Sequence, residues 1–281
     1  MRRSSVFVGL LIASLCITAL IIPSRVGAIT YGFVDTTNAF SNTGSFIVKS
    51  GTTGQIFPIC SGTLIAPTVF LTASHCTVPF TDDLALRGFT AHVSFDKSIP
   101  FGELTSRRTN LISVINVINN PNFNQSQSDS GDIGLLIVSE HATRGITPAA
   151  LPTLGLLDRL ASSNGLNGAV FTPVGYGVQN RVVGGGVPFF QDLNPIPRMF
   201  AFSSFGALNG GYLRLSQNPA TGNGGTCFGD SGGPNFLTVN GTQLIAAITI
   251  TGDQVCRSTS VTYRLDTNSA REFLAPWVLL P

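Results

Sequence analysis

Charged side chains are scarce in this sequence. They make up 11% of its 281 residues, whereas apolar residues make up 43%. A chain of this composition can bury a sizeable core, which excludes an intrinsically disordered protein. The formal net charge of +2 is too small to indicate a nucleic-acid partner. The sequence also has no obvious internal repeat, and because it lacks a C-x-x-C pair and a calcium-loop spacing, we expect no bound metal.

The first 28 residues have the pattern of a secretory signal peptide. Arg2 and Arg3 precede the apolar run VFVGLLIASLCITALII of about 17 residues, and the segment ends in the small residues Gly27 and Ala28. The run is also near the shortest length that spans a membrane, so an uncleaved anchor is the alternative. Cleavage after Ala28 would make Ile29 the first residue of a secreted, extracellular protein.

Cysteine is also infrequent, and its number fits export. Cys16 would leave with the signal peptide, and the four cysteines that remain are an even number in a chain bound for an oxidising compartment. Four cysteines allow three pairings, of which the pairing between sequence neighbours is the simplest. Zinc bound by four thiolates is the alternative, and the missing C-x-x-C spacing argues against it. The four residues are Cys60, Cys76, Cys227 and Cys256.

Short segments rich in Val, Ile, Phe and Thr follow one another along the chain, separated by Gly, Asn, Pro and Ser. This spacing predicts an all-β barrel or sandwich. Helical pattern is limited to a C-terminal segment, where Ser269 and Glu272 have the spacing of a capping box, and to 152–169, which either holds one short helix or connects two halves. The predicted strands are 45–49, 68–73, 91–95, 111–118, 134–138, 169–177, 244–250 and 260–265.

Three distant segments contain a histidine, an aspartate and a serine in that order. They are LTASHC at 71–76, GDIGLLIV at 131–138 and CFGDSGGP at 227–234. Together they resemble the chymotrypsin-like (trypsin-fold) serine protease family, whose order of catalytic residues differs from that of α/β-hydrolases and subtilisins. The C-terminal YRLDTNSAREFL also resembles that family's last strand and closing helix.

The resemblance implies an all-β fold of two antiparallel six-stranded β-barrels packed against each other, with a short C-terminal helix. The peptidase domain would span 29–281, with the first barrel over about 29–150 and the second over about 151–281. The family acts on protein or peptide substrates and needs no cofactor. We expect a monomer with no nucleic-acid partner and, in the mature form, no membrane partner.

The resemblance assigns the catalytic roles to His75, Asp132 and Ser231. A serine hydroxyl is a weak nucleophile and needs an adjacent base, and an imidazole titrates near neutral pH. Asp132 would orient the imidazole and stabilise its protonated form. Each of the three alone has an ordinary structural explanation, as a core histidine or a turn residue, and only their occurrence together is informative. The competing candidates are His92, His141 and Asp129.

The residues around the serine have their own expected roles. In the family the backbone N–H groups of Gly229 and Ser231 form the oxyanion hole. The acid before the serine, here Asp230, pairs with a new N-terminal amine. No propeptide lies between Ala28 and Ile29, so we expect signal removal itself to free the Ile29 amine, without a separate zymogen.

The family also implies the disulfides and the primary specificity pocket. The disulfides would be Cys60–Cys76, which tethers the loop of the catalytic histidine, and Cys227–Cys256, which braces the pocket. Gly225 stands at the pocket floor, where trypsin-like members carry aspartate, so a preference for Arg or Lys is not supported. Gly252 would be a wall glycine, and Val261 replaces a second one. A shallow pocket selecting small or medium uncharged P1 residues is therefore expected.

The chain departs from the family pattern beside the substrate backbone. Ile250 and Thr251 stand where many members carry Ser-Trp, and the single tryptophan, Trp277, is too close to the C-terminus to serve there. The predicted function is a secreted serine endopeptidase acting through an acyl-enzyme. The alternatives are a non-catalytic binding protein on the same scaffold and an esterase with weak proteolysis. Asn124 and Asn240 begin glycosylation sequons.

Overall fold

The computed structural model describes residues 29–102, 109–124, 128–178, 180–182, 189–191 and 194–281. The predicted signal peptide, 1–28, lies outside the described residues. Strands dominate, and the helices are short. None of the helices in the described ranges is long and apolar enough to cross a membrane.

The strands follow the chain from the N-terminal segment to the start of the last helix. In order they are β1 (Phe33–Val34), β2 (Thr43–Ser50), β3 (Ile56–Ala66), β4 (Val69–Thr72), β5 (Phe89–Ser94), β6 (Ser98–Ile99), β7 (Ile112–Ile118), β8 (Gly134–Val138), β9 (Val170–Gly175), β10 (Asn180–Val182), β11 (Phe189–Gln191), β12 (Ile196–Pro197), β13 (Met199–Phe200), β14 (Ser203–Leu208), β15 (Tyr212–Ser216), β16 (Pro234–Val239), β17 (Thr242–Gly252) and β18 (Thr259–Arg264).

Four short α-helices and two single turns of other helix types complete the described secondary structure. The α-helices are α1 (Ser74–Pro79), α2 (Glu140–Thr143), α3 (Leu156–Ser162) and α4 (Asn268–Leu274), with a π-helical turn at Phe80–Leu84 and a 3₁₀ turn at Pro219–Thr221.

The first barrel closes in the strand order β2-β3-β4-β8-β7-β5, with every pair antiparallel. Large apolar side chains from facing strands fill its interior, among them Phe46, Leu64, Phe70 and Leu71, all fully buried. Apolar residues in these short β-branched and aromatic segments pack well on a pleated sheet, and closure leaves no strand edge unpaired. The predicted first barrel is confirmed.

The second barrel has the order β9-β14-β15-β18-β17-β16 and closes through pairing of β16 with β9. The strands β1 and β13 extend this sheet, so the N-terminal segment belongs structurally to the second barrel. The described residues therefore form the expected all-β fold of two six-stranded antiparallel barrels. All eight strands predicted from sequence overlap observed ones, whereas the barrel strands β3, β14, β15 and β16 were not predicted.

The C-terminal helix α4 is present, but its predicted cap was wrong. Thr267 is the N-cap, and its side-chain oxygen accepts from Ala270 N at 3.2 Å. Ser269 instead donates to the Asp129 carboxylate at 2.5 Å. The N-cap is Thr267 and not Ser269 because the Ser269 hydroxyl binds Asp129. The Thr267 side chain then accepts from a free N–H group in the first turn of the helix.

A buried arginine joins the two barrels. Arg198 lies just before β13 with no exposed surface, and its Nε donates to the equally buried Asp35 at 2.9 Å. Its Nη1 donates to Thr43 O at 3.0 Å and to Phe95 O at 3.1 Å, both on the first barrel. A buried guanidinium with its donors satisfied fixes the relative position of the parts it touches.

Candidate active site

Residues from both barrels line a cavity of about 560 Å³. His75 lies after β4 of the first barrel, and Ser231 lies in the turn before β16 of the second. Among the described residues, the lining consists of His75, Thr226, Cys227, Phe228, Ser231, Thr249, Ile250, Thr251, Gly252, Asp253, Gln254 and Cys256.

His75 sits at the start of α1, where the chain is held from several sides. The preceding Ser74 hydroxyl donates to Ile133 O at 2.7 Å and accepts from Asn120 N at 3.2 Å. The following Cys76 forms a disulfide with Cys60 of β3. These contacts fix the backbone of His75 relative to β3 and to the segment before β8.

Asp132 contacts His75 through both carboxylate oxygens. Its Oδ2 lies 2.7 Å from His75 Nδ1, and its Oδ1 accepts from His75 N at 2.9 Å. An ionised carboxylate can only accept, so in this contact Nδ1 donates, and in the neutral imidazole Nε2 is then the acceptor. The Asp132 side chain is 8% exposed, whereas the His75 side chain is 31% exposed. The imidazole is thus oriented from the buried side and open to the cavity.

A tight turn presents Ser231 to the cavity. Gly229 (φ 93°) and Gly232 (φ 78°) both adopt left-handed backbone conformations that favour glycine. A Cβ at Gly232 would overlap Thr72 and the backbone of the first barrel. Ser231 O accepts from Ser61 N at 2.9 Å, and Gly232 N donates to Thr249 O at 2.7 Å. The turn is therefore held between the two barrels. Its path requires the glycines that the sequence has at positions 229 and 232.

His75 and Ser231 share the cavity, but no hydrogen bond joins the Ser231 hydroxyl to the imidazole in the described structure. The hydrogen bond between His75 and Asp132 is formed, whereas the one between Ser231 and His75 is not. Catalytic hydrogen bonds are often longer in unliganded proteins and shorten once substrate is bound.

Two backbone donors beside Ser231 are unpaired. Phe228 O accepts from Val178 N at 2.7 Å. Because the C=O and N–H of a trans peptide point in opposite directions, this bond turns the Gly229 N–H to the other side. Within the described residues neither Gly229 N–H nor Ser231 N–H donates a hydrogen bond. Such a pair of free N–H groups can stabilise a negative charge.

Asp230, which stands between Gly229 and Ser231 in this turn, is completely buried. Its Oδ1 accepts from Gly177 N at 2.8 Å and its Oδ2 from Cys227 N at 2.9 Å. Burial is the dominant influence and raises the pKa of Asp230 to about 7, although the two backbone hydrogen bonds oppose the shift. No cation contacts this carboxylate among the described residues, so its ionised form is poorly compensated.

Ile29 is fully buried next to the same region. Its neighbour Thr30 exchanges two backbone hydrogen bonds with Gly225, five residues before Asp230, at 2.8 and 3.0 Å. The Ile29 side chain packs in an apolar cluster with Tyr176, which precedes the Gly177 that bonds Asp230. The segment beginning at Ile29 therefore contacts Gly225 and packs with Tyr176, the residue before the Gly177 that binds Asp230.

Both disulfides join sequence neighbours. Cys60–Cys76 adjoins His75, and Cys227–Cys256 contributes both of its residues to the cavity wall. The Cys60 and Cys76 sulfurs also lie within 4.8 Å of a ring nitrogen of His75. Because these sulfurs are bonded to each other, they are not available as thiolate ligands.

The three residues expected in the specificity pocket fall in different places. Gly252 lines the cavity, whereas Gly225 and Val261 are not among its lining residues. Gly225 lies behind the wall, against the buried side chain of Gln217. Val261 of β18 pairs with Thr251 and packs against the apolar core. Ile250 and Thr251, the departures from the family pattern, both line the cavity.

The competing candidates lie away from the cavity lining. His92 of β5 contacts the Thr90 hydroxyl at 2.9 Å, and burial followed by the nearby Lys49 charge lowers its pKa. His141 lies exposed on α2. Asp129 accepts from the Tyr263 hydroxyl at 2.8 Å and ties the segment before Asp132 to the second barrel.

Sequence reasoning missed two residues that shape the site. Ser61 donates from its hydroxyl to Gly229 O and accepts from Tyr176 N, both at 2.9 Å, so it braces the turn that carries the free N–H groups. Gln217 fills the space beside Gly225. The position of Ser61 directly after Cys60 gave a weak signal, since a disulfide beside the site fixes its neighbours, whereas Gln217 stands in no recognisable motif.

The comparisons with known proteins agree with this architecture. The Trypsin family model matches residues 32–272, which covers most of the chain and both barrels. A search of curated proteins finds no match. With two closed six-stranded barrels and a family match of this extent, the chain belongs to the trypsin family of serine proteases.

Proposed function

We propose that this protein is a secreted serine endopeptidase in which His75, Asp132 and Ser231 form the catalytic triad. The observation that carries the proposal is the His75–Asp132 contact of 2.7 Å at the edge of a cavity that Ser231 also lines. Membership of the trypsin family supports peptide-bond hydrolysis as the reaction. Protein or peptide substrates follow from that family, and two disulfides are consistent with an oxidising compartment.

In the proposed mechanism the Ser231 hydroxyl attacks the substrate carbonyl carbon while His75 Nε2 takes its proton. Asp132 keeps the other imidazole proton on Nδ1 and stabilises the imidazolium that forms. The tetrahedral intermediate places negative charge on the former carbonyl oxygen, and the free N–H groups of Gly229 and Ser231 are suited to receive it. The imidazolium then gives its proton to the leaving amine, and water hydrolyses the acyl-enzyme by the same steps.

We also infer that cleavage after Ala28 organises the site. A new ammonium at Ile29 would compensate the buried Asp230 carboxylate, which otherwise has only two backbone donors. The burial of Ile29, its packing with Tyr176 and the Thr30–Gly225 bonds support this pairing, because they hold the segment against residues that flank the Asp230 partners Gly177 and Cys227. Pairing would hold the Gly229–Ser231 turn in place. No zymogen beyond the signal-bearing chain is required.

The proposed primary specificity is for small or medium uncharged P1 residues. Among the described lining residues the one acid is Asp253. Its Oδ1 accepts from Ser258 N, Thr259 N and Gln217 Nε2, and its Oδ2 accepts from Arg257 N. A carboxylate with these four donors has little capacity left for a substrate cation, so an Arg or Lys side chain gains no strong partner in the cavity.

Labelling with a fluorophosphonate probe tests the proposed nucleophile. The secreted protein should react, and Ser231→Ala should not, whereas Ser163→Ala, at an exposed serine at the end of α3, should react like the parent. Labelling that persists in Ser231→Ala removes this residue from the mechanism. Hydrolysis of ester substrates without any cleavage of peptides would favour the esterase alternative. N-terminal sequencing of active material should give Ile29 as the first residue.

A further inference from the structure

The space beside Gly225 is occupied by another side chain. A Cβ placed on Gly225 would overlap the Cβ and Oε1 atoms of Gln217. Gln217 follows β15 directly and has no exposed surface. Thr226, the residue after Gly225, does line the cavity. Gln217 therefore fills the volume into which a side chain at position 225 would project, immediately behind the cavity wall.

Hydrogen bonds hold Gln217 in this position. Its backbone N donates to Ser258 O at 2.9 Å, and its Nε2 donates to Asp253 Oδ1 at 3.1 Å. The contact with a carboxylate fixes the orientation of the amide, because only the NH₂ group can donate. Its Oε1 is buried without a hydrogen-bond partner in the described structure. The side chain is thus retained by one side-chain bond and by packing, while its oxygen is unpaired.

We propose that Gln217 sets the depth of the primary specificity pocket by filling the space beside Gly225. This inference rests on the proposed function and names the residue that makes the site selective for small P1 side chains. Val261 packs against the core and lies outside the lining, so it does not limit the depth. Shortening residue 217 opens the cavity behind Thr226 towards Gly225.

The test is a set of three variants measured with peptides that differ only at P1, which is Ala, Leu or Phe. One methylene of fit in an apolar pocket changes kcat/KM by roughly 10–200-fold. In Gln217→Ala the ratio of kcat/KM for Leu over Ala should therefore rise at least about tenfold. Gln217→Asn, shorter by one methylene, should give an intermediate ratio and remains informative if Gln217→Ala does not fold.

Gln217→Met separates volume from hydrogen bonding. It nearly keeps the side-chain volume but removes the bond to Asp253, whose carboxylate retains three backbone donors. The Leu/Ala ratio should stay close to that of the parent. A ratio that rises as far in Gln217→Met as in Gln217→Ala would assign the selectivity to the Asp253 bond and overturn the proposal. An unchanged ratio in both shortened variants would overturn it as well.

Failure of the proposed function gives a different result. Active-site titration with a fluorophosphonate counts reactive Ser231, so a parent protein that neither labels nor cleaves any peptide contradicts the protease activity. Crystal structures of the parent and of Gln217→Ala then still decide the inference. A cavity that extends to Gly225 in the variant supports it, and a cavity of unchanged depth, closed by other side chains, refutes it.

Discussion

At the residue scale, the two aspartates in the segment before β8 have different partners. Asp132 binds the imidazole Nδ1 and the His75 backbone N. Asp129, three residues earlier, accepts from Tyr263, Ser269 and Gly131 N. Burial raises the pKa of Asp129, but these hydrogen bonds outweigh it and hold the pKa below its usual value. The two acids therefore form a matched pair for separating catalysis from structure.

Replacing Asp132 by Asn should abolish most activity without unfolding the protein. Asn has one acceptor oxygen, whereas His75 presents two donors to Asp132, its backbone N and Nδ1. With the oxygen bonded to the backbone N, the NH₂ group faces Nδ1 and donates to it, which moves the imidazole proton to Nε2 and removes the base there. The related change in a well-studied triad lowers kcat about 10⁴-fold, and a similar loss is expected for Asp132→Asn. Steady-state kinetics and active-site titration measure it, with thermal unfolding as the check on folding.

Asp129→Asn is the control. It should lose stability through weakened bonds to the second barrel but keep kcat within about tenfold of the parent, since it does not touch His75. If Asp129→Asn loses as much kcat as Asp132→Asn, the assignment of the orienting acid is mistaken.

At the same scale, the sequence predicted residues that belong to motifs and missed those that act through packing. His75, Asp132 and Ser231 stand in segments whose order is informative. Gln217 and Gly225 both lie in the segment that connects β15 to β16, and the role of Gln217 depends on the path that brings the two residues into contact. No residue spacing in the sequence predicts that path.

Element-scale prediction succeeded where hydrophobic pattern and strand coincide, as in β8, whose predicted bounds match the structure. It missed β3 because Pro58 and Gly62 interrupt the pattern. In the structure Pro58 lies where the β2–β3 register shifts, between Phe46 and Ile47 of β2. A residue without an N–H is tolerated at such an irregularity, so tertiary pairing, not local propensity, makes this segment a strand.

The two disulfides should differ in effect although their contributions to stability are similar. The bridges span 16 and 29 residues, and loop-closure entropy of these lengths corresponds to about 3 kcal/mol each. The double variant Cys60→Ala/Cys76→Ala should also lower kcat, because Cys76 adjoins His75. Cys227→Ala/Cys256→Ala should instead change the ratio of kcat/KM among P1 substrates, because both cysteines line the cavity.

Denaturant unfolding without reductant, together with kinetics on the P1 series, measures both effects. Two variants that lose stability but keep the parent kcat and P1 ratios would show that neither bridge positions the site.

At the scale of the whole molecule, the N-terminal segment connects the proposed cleavage site after Ala28 to the second barrel. β1 pairs with β13, and Thr30 binds Gly225. Asp230, the residue before Ser231, is fully buried, and burial raises its pKa from 3.8 to about 7. While the chain upstream of Ile29 is attached, we expect the folded protein to keep Asp230 protonated between about pH 3.8 and pH 7, a range in which the unfolded chain has released that proton. The resulting stability is fully present below pH 3.8 and is lost as the pH rises to about 7.

Comparing two forms of the protein isolates this effect. One form begins at Ile29, the other carries a short extension before it, and both contain Ser231→Ala to prevent self-digestion. In the first form the Ile29 ammonium should pair with ionised Asp230. Titration of Asp230 should therefore not lower the free energy of unfolding of this form between about pH 4 and pH 7. In the extended form the loss should reach up to about 4 kcal/mol, since each pKa unit corresponds to about 1.4 kcal/mol.

Guanidinium unfolding at several pH values across this window gives the difference in free energy of unfolding between the two forms. Other titrating carboxylates, such as Asp129 and Asp253, are common to both forms and cancel in that difference. Asp230→Asn in both forms should flatten it, because the titrating group is gone. A difference that stays constant across the window in the Asp230 proteins would mean that the Ile29 amine does not reach the buried acid, and the link between signal removal and the ordering of the Ser231 turn would have to be abandoned.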